Sequence, residues 1–170
     1  MKNTKRAFRW IVDLLRKNHV PFRLTGGFAA RIYGAKRPLA DIDLDVPEAA
    51  MSKIAPLVKE HIVAGPCRYK DEEWDLFVLS LKYCGQEIDL CGAESQRIHD
   101  KSARRWVSLT VSFVKSPMKN IFGMRVRVIP KSELITYKSK IKRDVDILDV
   151  SALTAFSVKP KLPPLPSHQH

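Results

Sequence analysis

The segment Leu24-Thr-Gly-Gly-Phe-Ala-Ala-Arg-Ile-Tyr-Gly-Ala-Lys-Arg-Pro-Leu-Ala-Asp-Ile-Asp-Leu-Asp-Val46 sets a pair of glycines ahead of a strictly alternating acidic run. Successive side chains of a strand point to opposite faces. Asp41, Asp43 and Asp45 therefore share one face, and Ile42, Leu44 and Val46 share the other, which belongs against a core. Like charges on one strand face repel unless a cation lies among them. Carboxylate oxygens are the preferred ligands of hard divalent ions such as Mg2+. Asp45, farthest along the strand, is the acid of the three left outside such a set.

A third ligand comes from Glu87-Ile88-Asp89-Leu90-Cys91, where Ile88 and Leu90 take one face and Asp89 the other. Two acids from one strand and one from its neighbour, Asp41, Asp43 and Asp89, can hold metal ions that activate a hydroxyl and shield phosphate oxygens. Gly26 and Gly27 stand where a strand hands over to a helix. Without side chains they let backbone N–H groups approach a phosphate, and a helix start favours negative charge. Arg37, just ahead of the acids, is a further candidate phosphate ligand.

Outward from this segment, hydrophobic periodicity predicts helices over 5–18, 28–33, 47–62, 133–142 and 145–156. Asn18 is read as the left-handed cap of the first, and Ser132 as the cap of the fourth. Strands are predicted at 20–24, 41–46, 75–83, 86–91, 104–115 and 124–129, with Cys84-Gly85 as a two-residue hairpin turn. Gly65-Pro66 reads as a turn and 116–123 as a loop. The interspersed order, with a hairpin and no regular βαβ alternation, points to the α/β (α+β) class with a mixed sheet flanked by helices. One domain is expected over 1–157, followed by a mobile Pro-rich tail, 158–170.

The chain has 170 residues and 45% hydrophobic content, which suits a globular core. No apolar run approaches the roughly 20 residues of a bilayer span, so no membrane partner is expected. Cys67, Cys84 and Cys91 are odd in number and lack zinc-type spacing, which reads as reduced, partly buried thiols in a cytoplasmic protein. Trp10, Trp74 and Trp106 read as core or half-buried aromatics, and His19, His61 and His99 lack neighbours at metal spacing. Net charge is +12. Between Lys115 and Arg143 nine Lys and Arg face one acid, Glu133. Such an excess attracts polyanions and opposes long-range capture of polycations.

Gly26-Gly27, a helix, Asp41-Ile-Asp43 and the later Asp89 resemble the nucleotidyltransferase superfamily of DNA polymerase beta type. The thirteen residues between Gly27 and Asp41, with Arg37 ahead of the acids, are most similar to the small lincosamide and aminoglycoside nucleotidyltransferase-like branch. Tyr137-Lys138 and Arg143-Asp-Val-Asp146-Ile-Leu-Asp149 resemble that branch's Lys and its Arg-x-Lys-Asp-x-x-Asp helix, with Val145 in place of the second lysine. The resemblance spans about residues 10–150. It implies a nucleotidyltransferase fold, Mg2+ (or Mn2+) on Asp41, Asp43 and Asp89, and an NTP with its triphosphate over Gly26-Gly27. Lys138 is then a candidate phosphate contact, set against an exposed helix lysine. Arg143, Asp146 and Asp149 read as salt bridges tying the last helices together.

The expected activity is metal-dependent transfer of a nucleoside monophosphate from an NTP to a hydroxyl acceptor. By charge, RNA (a tRNA end included) or a protein suits a +12 chain better than an aminoglycoside. The alternative is a non-catalytic nucleotide- or nucleic-acid-binding regulatory module on the same fold, such as a toxin–antitoxin component.

Overall fold

The structure is a computed structural model that describes residues 2–155, so the expected tail at 158–170 lies outside the described residues. The elements run α1 (Thr4–Lys17), β1 (Arg23–Leu24), α2 (Gly26–Ile32), β2 (Asp41–Val46), α3 (Glu48–Ile54), a 3-10 segment (Ala55–His61), β3 (Ile62–Lys70), β4 (Trp74–Tyr83) and β5 (Gln86–Gly92). They continue with β6 (Arg97–Asp100), β7 (Arg105–Ser108), β8 (Met118–Ile121), β9 (Met124–Arg127), α4 (Lys131–Ile141) and α5 (Asp144–Ala155). The main sheet has the order β1-β2-β5-β4-β6-β7, with β3 paired to β4 outside that path. The β2–β5 pair is parallel and the other pairs antiparallel, so the sheet is mixed, as the residue pattern predicted.

Helix α1 forms because Ala7, Phe8, Ile11, Val12 and Leu15 recur on one side and are all fully buried. They share a core with Ile42, Leu44, Leu79, Leu81, Ile88 and Leu90 of the sheet. The β4–β5 hairpin turns at Cys84-Gly85, both with positive φ, as a two-residue turn requires.

Several elements differ from expectation for physical reasons. The left-handed residue after α1 is His19 (φ 55°), one beyond Asn18, because Asn18 stays near the bridge region and turns its side-chain amide to the Leu14 carbonyl. The long helix expected to residue 62 gives way after Ile54 to a 3-10 segment, where Pro56 cannot supply an N–H to an α ladder. Residues 62–70, expected to hold a turn at Gly65-Pro66, form β3 instead, and register shifts in its pairing with β4 accommodate that dipeptide. The expected strand at 104–115 is confined to Arg105–Ser108, and β6 is an added strand at 97–100. The expected loop at 116–123 contains β8 and the turn into β9, where Phe122 (φ 52°) and Gly123 (φ 84°) reverse the chain. A phenylalanine is unfavourable there. Its ring compensates by packing edge to face on Phe8 (5.9 Å) and tilted against Phe28 (6.0 Å). Cys67 is exposed rather than partly buried; Cys84 and Cys91 are half-buried.

Helices α4 and α5 are tied by buried charges. Lys138, 1% exposed, places its ammonium 2.7 Å from Asp146 and 3.0 Å from Asp149, both fully buried. The expected alternative of an exposed helix lysine is therefore corrected: its stem and head are enclosed because Lys138 faces α5, not solvent. Arg143 grips Asp146 (2.7 Å), and Arg37 grips Asp149 through Nε (2.8 Å) and Nη2 (3.0 Å). Burial pushes the Asp146 carboxyl up, but Arg143 and Lys138 outweigh it and hold the group below its ordinary value.

A carboxyl depressed by folding contributes stability above its unfolded pKa and loses that contribution as pH falls through its folded pKa. Asp146→Asn is expected to destabilise by about 3 kcal/mol near pH 7, the scale of breaking a buried pair, lowering Tm by roughly 6–12 °C. The gap between variant and parent should narrow in thermal scans below about pH 4. An equal gap at neutral and acidic pH would remove the ion pairs from the account.

Candidate functional site

The register of β2 against β5 builds the site. Parallel pairing sets Asp43 beside Asp89 and Asp41 beside Glu87. The opposite faces of the two strands carry Ile42, Leu44, Ile88 and Leu90, all fully buried. With those four committed to the core, Asp41, Asp43 and Asp89 emerge on the other face. One carboxylate oxygen from each lies within 4.8 Å of the others. They are hard oxygen donors close enough to share a cation.

These carboxylates open into a cavity of about 790 Å3 whose lining also includes Gly26, Gly27, Arg37 and Lys138. The candidate metal and phosphate residues Gly26, Gly27, Arg37, Asp41, Asp43, Asp89 and Lys138 thus line one cavity, but the parts they play differ. Gly26 opens α2 with φ +62°, and a Cβ there would collide with the Asp43 carboxylate. A Cβ on Gly27 would meet the Arg37 guanidinium. The two glycines therefore make room for an acid and a base of the site itself. Thr25 donates its N–H to the Asp43 carbonyl (2.9 Å), which fixes the glycines against β2. Arg37 spends two of its nitrogens on Asp149, and Lys138 is enclosed by Asp146 and Asp149.

Asp45, on the same strand face, is withdrawn from the acidic group. It is bound by Arg23 Nε (2.7 Å) and by the Gln96 amide (2.7 Å), while Arg23 also reaches Glu133 (2.9 Å). This cluster was not singled out in the sequence. Its signal was Arg23 between Phe22 and Leu24, a guanidinium in a strand whose neighbours are apolar. Such a charge needs an acid facing it, and Asp45 is its direct partner in the β1–β2 register. The aromatic side of the cavity also went unassigned: Trp74 and Tyr137 meet edge to face at 5.9 Å, and Arg143 lies over the Trp74 ring at 5.8 Å.

Electrostatics divide the site in two. Each of Arg23, Arg37, Lys138 and Arg143 is matched to an acid. Among the described residues, no ion pair involves Asp41, Asp43 or Asp89. Burial, and then the charges of Asp41 and Asp89, push the Asp43 carboxyl well above its ordinary value. Asp89 is pushed up by burial and by Asp41 and Glu87, against a hydrogen bond from Ser80. Burial beside these acids also pushes the Cys91 thiol up. The arrangement concentrates unmatched negative charge at one point of a concave surface, where a divalent cation would relieve it.

No model of a known protein family matches the chain, and no curated protein matches its sequence. Solved structures do resemble it. A Thermotoga maritima protein assigned as a nucleotidyltransferase is 19% identical, with a TM-score of 0.67 over 89% of this chain and 91% of that one. The lincosamide antibiotic adenylyltransferase LnuA, solved with lincomycin, is 15% identical, with a TM-score of 0.60 over 91% of this chain and 99% of that one. ANT(2")-Ia, solved with adenylyl-2"-tobramycin, is 16% identical, with a TM-score of 0.52 over 92% of each chain. The chain thus shares its fold with these proteins, a mixed sheet flanked by helices.

Proposed function

We propose that this chain transfers a nucleoside monophosphate from an NTP to the hydroxyl of an acceptor, with Mg2+ or Mn2+ held by Asp41, Asp43 and Asp89. The observation that carries the reading is the meeting of three unpaired carboxylates in a cavity whose buried and half-buried bases are already matched elsewhere. Burying like charges together without a counter-ion is costly. The fold's likeness to adenylyltransferases solved with lincomycin and with adenylyl-2"-tobramycin supports the same class of transfer. The cavity, about 790 Å3, falls in the range that encloses a nucleotide-sized ligand.

A bound divalent ion would screen the triphosphate oxygens and polarise the reacting phosphate. In the transfer, the acceptor oxygen bonds to the α-phosphorus, the bridging α–β P–O bond breaks, pyrophosphate leaves, and the hydroxyl proton passes to water. The protein's part is positioning. Gly26 and Gly27 leave the room that the Asp43 carboxylate and the Arg37 guanidinium occupy at the cavity floor. Arg37 and Lys138 place positive charge at the cavity wall, acting across a distance because Asp149 holds both. Arg23 keeps Asp45 out of the acidic set, so the site carries three acids and not four.

Incubation with each α-labelled NTP, Mg2+ or Mn2+, and cell lysate is expected to yield covalent label in an acceptor, and Asp43→Asn is expected to abolish it. Reversible nucleotide binding with no covalent label under any NTP would instead establish the non-catalytic module. Asp43→Asn should keep or raise Tm, because it removes repulsion from Asp41 and Asp89. Gly26→Ala should lower Mn2+ affinity at least about tenfold with the fold retained, since its Cβ would displace the Asp43 carboxylate.

Protons should compete with the metal. Asp43 is held well above the usual carboxylate range, so it takes up a proton at milder acidity than an exposed aspartate. Mn2+ affinity, read by calorimetry, is expected to fall as pH is lowered from about 8 toward 5, where exposed carboxylates remain ionised. An affinity constant over that range would contradict the assignment of Asp43 as a ligand.

A further inference from the structure

We propose that the face formed by the outer edge of α1, the outer side of α2 and the β8–β9 hairpin is a docking surface for a single-stranded polynucleotide. The surface stands on its own charge and geometry. That its occupant supplies the acceptor hydroxyl rests, in addition, on the transfer reading above.

The three elements make one face. Phe122 at the hairpin turn packs on Phe8 of α1 and Phe28 of α2. Arg16 of α1 hydrogen-bonds the Arg125 carbonyl of β9. Lys119 of β8 lies 5.5 Å above the ring of Tyr33, at the end of α2, and the Tyr33 hydroxyl donates to the Ile129 carbonyl at 2.8 Å.

Cations collect on it. Lys5, Arg9 and Arg16 fall at spacings of four and seven residues, one stripe of α1, and all are exposed. The side of that stripe is fixed by Arg16, which reaches the hairpin. Arg31, Lys36, Lys119 and Arg125 are exposed as well. Acids are nearly absent: residues 2–40 contain Asp13 alone, and residues 109–132 contain none. Among the described residues, no ion pair involves Lys5, Arg9, Arg16, Lys119 or Arg125. At the cavity Arg23, Arg37, Lys138 and Arg143 are each matched to an acid; on this face those five bases have no acidic partner.

The chemistry favours a polynucleotide over other anions. Guanidinium groups bind phosphates in a bidentate fork. Aromatic rings stand among the cations: Phe122 is 39% exposed, and Tyr33 is half-buried below Lys119. Rings interleaved with basic groups offer stacking for unpaired bases, a feature that a heavily phosphorylated peptide would not use. The face also reaches the catalytic cavity. Exposed Lys115 lines that cavity, and its loop is pinned to β9 by Arg127, which donates to the Val114 and Ser116 carbonyls. A strand lying on the hairpin would have its end near the carboxylates, and that end carries a hydroxyl.

The test is binding of fluorescein-labelled single-stranded RNA, and of DNA of the same sequence, by anisotropy over a salt series without NTP or metal. The variant is Lys5→Gln, Arg9→Gln, Lys119→Gln and Arg125→Gln together. Arg16 and Arg127 are spared because each bonds a backbone carbonyl. The parent is expected to bind one or both strands, with affinity falling steeply with salt. The variant should lose at least about tenfold in affinity near 0.1 M salt and flatten the log–log slope by up to ~0.7 per lost contact. Its Tm and Mn2+ affinity should match the parent. Exchanging the same four residues Lys for Arg and Arg for Lys should restore binding. Asp43→Asn should bind as the parent does, so loss of transfer and loss of docking are separate results. Absence of binding at low salt, indifference to the four Gln replacements, or equal affinity for duplex would overturn the proposal. So would retention on anionic phospholipid vesicles through these residues without polynucleotide binding.

Discussion

The parallel register of β2 on β5 is the constraint on which the rest depends. A shift of one residue would turn Ile42 and Leu44, or Ile88 and Leu90, out of the core and send the aspartates of that strand inward. Those four side chains are fully buried. Each is worth on the order of 1.5–3 kcal/mol of burial, so the apolar faces dictate the register against the repulsion of Asp43 and Asp89. The acidic site is thus imposed by packing on the far side of the sheet. Repulsion that folding tolerates in this way is available to bind a cation.

Around this point the protein uses matched charge to hold geometry. Arg23 with Asp45 and Glu133, Arg37 with Asp149, and Lys138 with Asp146 and Asp149 join β1, β2, α4, α5 and the segment after α2. Buried pairs of this kind are weak evidence for stability, because desolvation offsets much of their attraction. Their clearer effect is positional. Lys138 bridges the buried carboxylates of Asp146 and Asp149, and Asp149 in turn holds the Arg37 guanidinium over Gly27.

The sequence made the acidic set legible because strand alternation is local: Asp41-Ile-Asp43 and Ile88-Asp89-Leu90 each declare their faces without knowledge of the fold. Long-range pairing was less legible. Nothing near Lys138 announces that it faces α5 and not solvent, since the partner acids lie eight and eleven residues on in a separate helix. The β8–β9 hairpin was missed because its turn places a phenylalanine where Gly or Asn is usual. The justification for that residue is a pair of rings more than ninety positions away, Phe8 and Phe28. The strands at 62–70 and 97–100 were hidden for a related reason: their partners, β4 for the first and β4 and β7 for the second, and not their own composition, make them extended.

Charge segregation follows from the same division between local and distant causes. With thirty bases and eighteen acids, the chain cannot match its cations one to one. Many of the acids gather on β2, β5, the β3–β4 turn and the start of α5. Part of the surplus of bases is left on α1, α2 and the hairpin. Repulsion among them is tolerated because each head group is solvated and screened over a distance of about 10 Å. An acidic polymer would relieve that repulsion over many groups at once. A small cationic acceptor would have to approach against it, and enter a cavity whose lining includes the exposed ammonium of Lys115.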